Sequence, residues 1–486
     1  MFLRGISYAL TFLIWVAIVT NVRSAKFRQI VLLIASYGLY VAWARWFTAV
    51  LLTSTVFNYF FGRLLRRKPS GAVLAIGIVL NLSLLSAFKY LPPIAVLMPF
   101  SSLQKFAHLA LPLGISFWTF QAMSYLFDLY RGDELDPSFA EFALYIAFFP
   151  VTISGPICRM PEMLPQFRSG ELIPWTNIGQ GFKRIAVGVL TMTLARVLGQ
   201  GILAGDGINS GFDRASHWNG PDVWCLAFGY GLQLFFDFAG YSHIAIGAAQ
   251  ALGFSIPENF ARPFQSTTVS IFWTRWHISL SFWIRDYVFL PLATLRREIW
   301  WRNLALVISM VLFGLWHKAS VLFLLWGMYH GLLLVGHRHI QQMQRKLNWN
   351  PSTTWWNAVS WLVTISCVSI GWILFRANSP AQARQMFSSL LTPATYGSHS
   401  LSGSLYLLVG LFAIGYALVL LAIDILSAHL EEPVVTQNLK RSGFAALAAR
   451  TRWYWIPPLY SVTLLFALMV TIARGTATAQ FMYRNF

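Results

Sequence analysis

Twelve long, continuous apolar stretches constrain the fold of this 486-residue chain more than any other feature. They cover residues 7–20, 30–43, 72–88, 106–127, 142–154, 185–203, 223–252, 304–316, 321–335, 358–375, 405–426 and 454–472. Several reach the roughly 20 residues that an α-helix needs to cross a bilayer. We therefore predict an all-α, polytopic membrane protein with about 11 to 13 membrane segments, re-entrant helices among them.

The composition supports the same class of protein. Hydrophobic residues make up 57% of the chain and charged residues 11%, whereas soluble globular proteins carry roughly 25% charged residues. The polar intervals between the apolar runs are too short to form an extramembrane domain. We therefore predict a single membrane domain over residues 1–486.

The formal net charge of +19 has a topological explanation. Basic residues cluster in short intervals at 23–28, 63–68, 296–302 and 440–452. Such clusters flank membrane helices on the cytoplasmic side and set their orientation. A nucleic-acid partner is not expected, because the sequence predicts no soluble domain that would carry a binding face.

Two segments place ionisable side chains in apolar, aromatic surroundings. Residues 272–287 read FWTRWHISLSFWIRDY, and residues 314–318 read GLWHK at the end of an apolar run. Charged groups and imidazoles are costly at membrane depth, so they usually line a polar cavity or take part in chemistry. The sequence therefore predicts a functional site around these segments, and we interpret 254–290 as re-entrant or interfacial structure.

His317 and His277 are the candidate catalytic residues. A neutral imidazole at His317 is suited to take a proton from an attacking hydroxyl, because imidazole titrates near neutrality. His277 is suited to orient an acceptor, polarise a carbonyl or share the proton transfer. The alternative for each is structural: a helix-packing histidine at 317, and an interfacial histidine in an aromatic belt at 277.

The charged residues near His277 are expected to be paired. Arg275, Arg285 and Asp286 are predicted to form an ion-pair network, because an unpaired charge at membrane depth is costly. An arginine that holds a phosphate or carboxylate of a substrate is the alternative. Asp237, within an apolar run, also needs a partner, for which Arg159 and Arg275 are candidates.

Several kinds of site lack their sequence signatures. The three cysteines lie far apart with no metal-ligand spacing, so no metal site is expected. The sequence has no nucleophile elbow, no phosphate-binding loop and no zinc-protease motif. The residues alone leave a membrane acyl or glycosyl transferase, or a proton-coupled transporter.

The histidine-bearing segments resemble motifs of the membrane-bound O-acyltransferase family. The resemblance is carried by FWTRWHISLSFWIRDY at 272–287, GLWH at 314–317 and LWGMYHG at 325–331. It extends to FFP at 148–150, SGPICR at 154–159, FFDFAGYS at 235–242, PENF at 257–260 and GWILFRA at 371–377. These further motifs are similar to the branch that acetylates polysaccharides, and the resemblance covers nearly the whole chain.

The resemblance implies a fold and a set of site residues. The family fold is a ring of membrane helices around a central tunnel, with a family-like core at about 110–377 and C-terminal helices at 378–486. His317 matches the catalytic histidine of the family, and His277 matches its second active-site histidine. Lys318 departs from the glycine that is usual there, which leaves the donor specificity open. The residues expected to bind substrate or support the site are Arg159, Asp237, Arg275, Trp276, Arg285, Asp286, Tyr287 and Trp316.

The implied reaction moves an acyl group, with acetyl expected, from a cytoplasmic thioester toward a cell-surface or exopolysaccharide hydroxyl. The acceptor is a glycan or a periplasmic partner acyltransferase, and the donor is acetyl-CoA or another acyl thioester, with no bound cofactor. The implied location is the bacterial inner membrane, in contact with lipid. The alternatives are D-alanyl transfer to teichoic acid from a carrier-protein thioester, and a proton-coupled transporter.

Overall fold

The computed structural model describes residues 2–97, 110–202, 206–214, 217–349 and 353–430, and most of these residues are helical. The α-helices are α1 (Phe2–Asn21), α2 (Ala25–Ala44), α3 (Phe47–Arg67), α4 (Gly71–Lys89), α5 (Leu91–Leu97), α6 (Ile115–Arg131), α7 (Phe139–Ala147), α8 (Met160–Arg168), α9 (Trp175–Gln200), α10 (Ile208–Arg214), α11 (Gly220–Ala251), α12 (Val269–Arg275), α13 (Ile278–Ile284), α14 (Leu290–Thr294), α15 (Ile299–His317), α16 (Val321–Lys346), α17 (Thr354–Arg376), α18 (Pro380–Leu391) and α19 (Gly403–Leu430). Within these ranges, pairing of extended backbone is limited to one antiparallel bridge between Phe260 and Trp276. The all-α prediction is confirmed.

Seven helices in the described part of the chain are long and apolar enough to cross a membrane: α2, α4, α11, α15, α16, α17 and α19. Other predicted runs form shorter helices, such as the 17-residue α6 and the 9-residue α7. A multi-pass membrane protein is thereby confirmed, whereas the total of 11 to 13 segments and the ring around a tunnel stay predictions. The apolar run at 454–472, the basic interval at 440–452 and the C-terminal helices beyond residue 430 lie outside the described residues.

The chain divides into two compact units. The first comprises the described residues within 1–185, 242–320 and 327–364, and the second comprises those within 186–241, 321–326 and 365–430. Both candidate catalytic histidines belong to the first unit, whereas Asp237 belongs to the second. The single domain over 1–486 and its core at about 110–377 stay predictions.

A buried pair of asparagines fixes α4 within the first unit, where it packs against α3 and α6. Asn81 donates a hydrogen bond to Oδ1 of Asn58 at 2.7 Å, and Asn58 donates one back at 3.1 Å. Interhelical hydrogen bonds of this kind contribute about 0.6 kcal/mol each on average in a membrane protein. The two bonds set the register of α4 on α3 and so position the C-terminal end of α4 at Lys89.

In the second unit, a buried carboxylate organises the start of α11. Asp222 accepts hydrogen bonds from the backbone N–H groups of Ser400 and Leu401 at 2.9 and 3.1 Å, and from the Tyr406 hydroxyl at 2.7 Å. A negative charge is favourable in the first turn of a helix, where backbone N–H groups lack partners. These bonds attach the connection before α19 to the start of α11.

The segment 254–290 consists of short pieces in place of a membrane-length helix. After a 3₁₀ turn at Pro263–Gln265 come α12, α13, a π-helical turn at Arg285–Phe289 and α14. Phe272, His277 and Leu280 are fully buried along it. The segment is therefore irregular and internal, as predicted from its polar and aromatic composition, while its depth in a membrane stays a prediction.

Two glycines one turn apart let α16 approach α15 so closely that the backbones of the two helices are in contact. A Cβ at Gly327 would lie 2.3 Å from the carbonyl oxygen of Met310, and one at Gly331 would lie 2.9 Å from Cα of Val307. Small residues four apart commonly form such close contacts between membrane helices, because no side chain separates the backbones. The glycines of the LWGMYHG motif therefore set the distance between α16 and the helix that carries His317.

We expect Gly327→Ala to destabilise the protein, because the added methyl group meets backbone atoms that cannot rotate away. Overpacking of this kind costs about 1–3 kcal/mol. The measurement is the thermal unfolding midpoint of the detergent-solubilised protein. Gly336→Ala on the same helix is the matched control, since a Cβ there has open space within 4 Å. Equal midpoints for the two variants would refute the close packing of α15 and α16.

Candidate active site

His317 is the last residue of α15. The helix ends there because the next residue, Lys318, has an extended backbone with φ −154° and ψ 134°. The imidazole is buried and stacks on the Phe313 ring, with centroids 5.2 Å apart and an interplanar angle of 25°. Residues four apart share one face of a helix, so α15 itself orients the imidazole.

His277 lies at the junction between α12 and α13 in a left-handed conformation, with φ 44°. Non-glycine residues rarely adopt this conformation, which costs on the order of 1–3 kcal/mol. Asn259 holds the junction: its carbonyl oxygen accepts the Ile278 N–H at 2.9 Å, and its Oδ1 accepts the Ser279 hydroxyl at 2.6 Å. The amide of Asn259 donates in turn to the Ser242 hydroxyl at 3.2 Å. This network fixes the position of the fully buried His277 imidazole.

The two imidazoles contact the same indole. The Trp316 ring centroid lies 4.8 Å from that of His317 and 6.4 Å from that of His277. Phe120 of α6 stacks on Trp316 at 5.4 Å, and Trp283 stacks on Phe120 at 4.1 Å. The Trp283 indole N–H also donates to the Phe120 carbonyl oxygen at 3.0 Å. Trp316, Phe120 and Trp283 therefore form a stack of three rings, and each stacked pair contributes about 0.5–1.5 kcal/mol beyond area burial.

The end of α4 supplies two side chains that the sequence analysis missed. The Lys89 ammonium donates to the Trp316 carbonyl oxygen and lies 4.9 Å from the Trp316 ring centroid. The Tyr90 hydroxyl donates to the Leu315 carbonyl oxygen at 3.1 Å. The available signal was a single lysine directly after the apolar run 72–88, since ionisable residues in membrane helices are often functional. Lys318, which follows His317, has an exposed side chain.

The predicted ion-pair network exists in part: Asp286 and Arg285 belong to it, and Arg159 takes the place of Arg275. Asp286 pairs with Arg285 at 2.7 Å and with Arg159 at 3.2 Å. Arg131 also donates to the Asp286 carbonyl oxygen at 2.7 Å. Arg159, one of the two residues predicted as candidate partners of Asp237, thus pairs with the Asp286 carboxylate. Which residue pairs with Asp237 stays a prediction.

Tyr287 joins this cluster from the same π-helical turn. Its hydroxyl donates to Oδ1 of Asp128 at 2.6 Å, and the Arg159 guanidinium lies 4.5 Å from its ring centroid. Asp286 follows His277 by nine residues, a distance of about 13 Å along a helix at 1.5 Å per residue. The cluster therefore anchors the far end of α13, about two helical turns beyond His277 in the sequence.

The inclusion of Arg275 in that network was wrong. Among the described residues its side chain forms no ion pair, while Asp286 takes Arg159 and Arg285. The Arg275 side chain is only half-buried, so solvation removes the need for a counter-ion. Its backbone carbonyl accepts the Ala261 N–H at 3.0 Å, beside the buried Trp276. Both residues thus lie in the segment directly before His277, and their role in substrate binding or support stays a prediction.

A cavity of about 390 Å³ runs along one face of α15. Leu306, Met310 and Phe313 line it at helical spacing, and Phe313 is the ring that stacks on His317. Arg338 of α16 lines the cavity as well and donates to Oδ1 of Asn303 at 3.4 Å, near the start of α15. Its remaining polar lining includes Arg285, His337 and Gln341. The cavity therefore connects basic side chains with the aromatic ring beside His317.

Two further observations concern a third histidine and metal binding. His330 is fully buried and meets the Trp273 ring edge-on at 5.2 Å. Across the described ranges no group of three or more histidine, cysteine or carboxylate side chains is arranged to hold a metal ion. The chemistry that this arrangement supports is proton transfer by a buried imidazole between aromatic walls.

Comparisons with known proteins show the family to which the chain belongs. The model of the membrane-bound O-acyltransferase family matches residues 3–375. The chain is 33% identical to the "Probable alginate O-acetylase AlgI" of Pseudomonas syringae pv. tomato over 76% of this chain and 70% of that protein. It is 30% identical to the "Peptidoglycan O-acetyltransferase" of Helicobacter pylori over 76% of this chain and 75% of that protein. It is also 30% identical to the "Teichoic acid D-alanyltransferase" of Bacillus subtilis, over 54% of this chain and 68% of that protein. The chain therefore belongs to the membrane-bound O-acyltransferase family, and its activity is that of an O-acyltransferase.

Proposed function

We propose that this protein moves an acetyl group from a cytoplasmic thioester to a hydroxyl of a cell-surface or secreted polysaccharide, directly or through a partner acyltransferase. The observation that carries the proposal is the buried His317 imidazole, which stacks on Phe313, a residue in the lining of the cavity along α15. We propose that the reacting carbonyl reaches this imidazole from the Phe313 end of the cavity. The site is proposed to work in the bacterial inner membrane.

In the proposed reaction, His317 acts as the general base. The acceptor hydroxyl attacks the thioester carbonyl while His317 takes its proton, a new C–O bond forms, and the C–S bond breaks. The proton then passes from the imidazolium to the departing thiolate, so the histidine returns to its neutral form. His277, which contacts the same indole, is proposed to orient the acceptor or polarise the carbonyl.

The donor is proposed to enter along the face of α15 that lines the cavity. Arg338 and Arg285 provide guanidinium groups in the lining, and guanidinium binds phosphate in a bidentate manner. Coenzyme A and the phosphopantetheine arm of a carrier protein both carry phosphate and end in a thiol. The cavity therefore suits either thioester, with the phosphate at the basic end and the acyl group near Phe313.

Acetyl transfer to a glycan is favoured over D-alanyl transfer by the extent of the similarity. The two relatives named as acetylating enzymes match 76% of this chain, whereas the D-alanyltransferase matches 54%. A proton-coupled transporter is disfavoured, because aromatic rings pack directly against the imidazoles: Phe313 and Trp316 against His317, and Trp316 against His277.

The arrangement of helices supports a common side for two basic intervals. α4 and α15 are each 19 residues long, and their C-terminal ends meet through Lys89 and Trp316. Two membrane-spanning helices that end together also begin on the same face. The interval at 63–68 precedes α4, and the interval at 296–302 spans the start of α15. We therefore propose that both are cytoplasmic and that the donor enters from their side.

We expect His317→Ala to lower acyl transfer by roughly 100-fold or more, as is typical when a general base is removed. Protein abundance in the membrane should hardly change, because the ring makes few of the contacts that hold α15. The measurement is acetyl content of the surface glycan, or transfer from a radiolabelled thioester in membranes, alongside immunoblotting. His399→Ala, at an exposed position, is the matched control. Near-normal transfer by a well-expressed His317→Ala protein would refute the assignment.

We expect Arg338→Gln to raise KM for the thioester donor by about 10-fold, since a hydrogen bond to a charged group contributes about 1.5–3 kcal/mol. The value of kcat should stay within about twofold, because the side chain is distant from the reacting carbonyl. Arg345→Gln, seven residues later on α16 and exposed, should leave both constants unchanged. The donor pathway is wrong if Arg338→Gln and Arg345→Gln give the same KM.

We expect single cysteines at positions 66 and 298 to be cytoplasmic. They replace Arg66 and Glu298 in a variant that lacks the three native cysteines. An impermeant maleimide added to intact cells should label neither position, and permeabilised cells should show labelling of both. Labelling of both from outside would reverse the direction of acyl flow, and labelling of one alone would contradict the common orientation of α4 and α15.

A further inference from the structure

The C-terminal turn of α15 receives its hydrogen-bond partners from another helix. The last carbonyl groups of an α-helix have no partners within it. The Gly314 carbonyl oxygen is served locally, by the Lys318 N–H at 3.3 Å. The Leu315 and Trp316 carbonyls instead accept bonds from Tyr90 and Lys89.

The charge of Lys89 is suited to this place. The C-terminal end of a helix carries a partial negative charge, which a cation stabilises. The indole face of Trp316, 4.9 Å from the ammonium, attracts the same cation. In the part of the chain that the structure describes, no carboxylate forms an ion pair with Lys89. The helix end and the indole are thus the groups that compensate this charge.

Trp316, whose carbonyl Lys89 holds, directly precedes His317 and also packs against the His277 ring. Trp316 contacts both imidazoles, at 4.8 and 6.4 Å between ring centroids. A shift of its carbonyl would rotate the last turn of α15 and carry the His317 ring away from Phe313. The position of both imidazoles therefore depends on a side chain that is not part of the lining of the cavity along α15.

We propose that Lys89 is a positioning residue for acyl transfer, acting through Trp316 to hold His317 in its reactive orientation, with Tyr90 as its auxiliary. This inference depends on the proposed function, in which His317 is the general base. It assigns to the end of α4 a role in the chemical step, separate from the packing of α4 on α3 and α6.

The test compares Lys89→Met, Lys89→Arg and Tyr90→Phe in kcat and in KM for the donor. Methionine keeps the length of the side chain and removes the charge and the donor, so kcat should fall by about 10- to 100-fold while KM stays within about twofold. Arginine keeps the cation and should recover most of the loss. Tyr90→Phe should lower kcat by a few-fold, and Lys68→Met, at an exposed site, should leave it unchanged.

Thermal unfolding midpoints of the same variants distinguish a loss of His317 positioning from a loss of protein stability. If Lys89→Met does not accumulate, the comparison of Lys89→Arg and Tyr90→Phe with the parent still decides, because both keep the packing of α4. Wild-type kcat in Tyr90→Phe together with a large loss in Lys89→Arg would overturn the proposal, as would normal kcat in Lys89→Met or a loss confined to KM.

A double variant distinguishes failure of this proposal from failure of the proposed function. If Lys89 acts through His317, Lys89→Met should add little to the loss caused by His317→Ala, because residues that act as a unit are not additive. Multiplicative losses would show that Lys89 works elsewhere. Full activity of His317→Ala alone would instead refute the general-base assignment, whatever the effect of Lys89.

Discussion

A backbone carbonyl or N–H group without a partner is costly in an apolar environment, and this constraint shapes the site as much as the chemistry does. A continuous helix satisfies its own backbone, but its ends do not. Both candidate catalytic histidines lie at helix ends: His317 closes α15 and His277 precedes α13. Each of these ends therefore needs polar side chains from elsewhere in the first unit.

The two helix ends meet this need in different ways. At His277, Asn259 uses its backbone and its side chain together, and the left-handed residue is held by a network that reaches Ser242. At His317, a lysine and a tyrosine from α4 bind the terminal carbonyls. In both cases an imidazole in a buried, aromatic setting is placed by hydrogen bonds to the backbone beside it. Pre-organisation of this kind spares the reaction the cost of ordering its catalytic group.

Much of the fold could be predicted from the residues, because a long apolar run in lipid has few structural options. α4, α11, α17 and the polar interruption at 254–290 follow from that reasoning, and so does the selection of His277 and His317. The pairing of charges could not be predicted in the same way. Asp286 pairs with its neighbour Arg285, as the sequence suggested, but its second partner is Arg159, 127 residues away, and not the nearby Arg275. Sequence proximity alone therefore does not identify every cation that a helix bundle brings to a carboxylate.

The asparagine that holds His277 and the lysine that holds Trp316 were missed for the same reason. Asn259 is one amide among several polar residues in its segment, and nothing in the sequence singles out the one that becomes buried. Lys89 sits at the end of an apolar run, where a basic residue usually marks a membrane boundary. Its contact with the α15 terminus depends on the packing of α4, and packing is not readable from one sequence.

The separation of 227 residues between Lys89 and Trp316 has a consequence for biosynthesis. Ribosomes add about 5–20 residues per second, so α4 enters the membrane roughly 10 to 45 s before its partner has been made. During that interval the ammonium at the end of α4 has neither the helix terminus nor the indole that later compensate its charge. The nascent chain must shelter it with water, lipid headgroups or the insertion machinery, and the catalytic centre is completed only when α15 arrives.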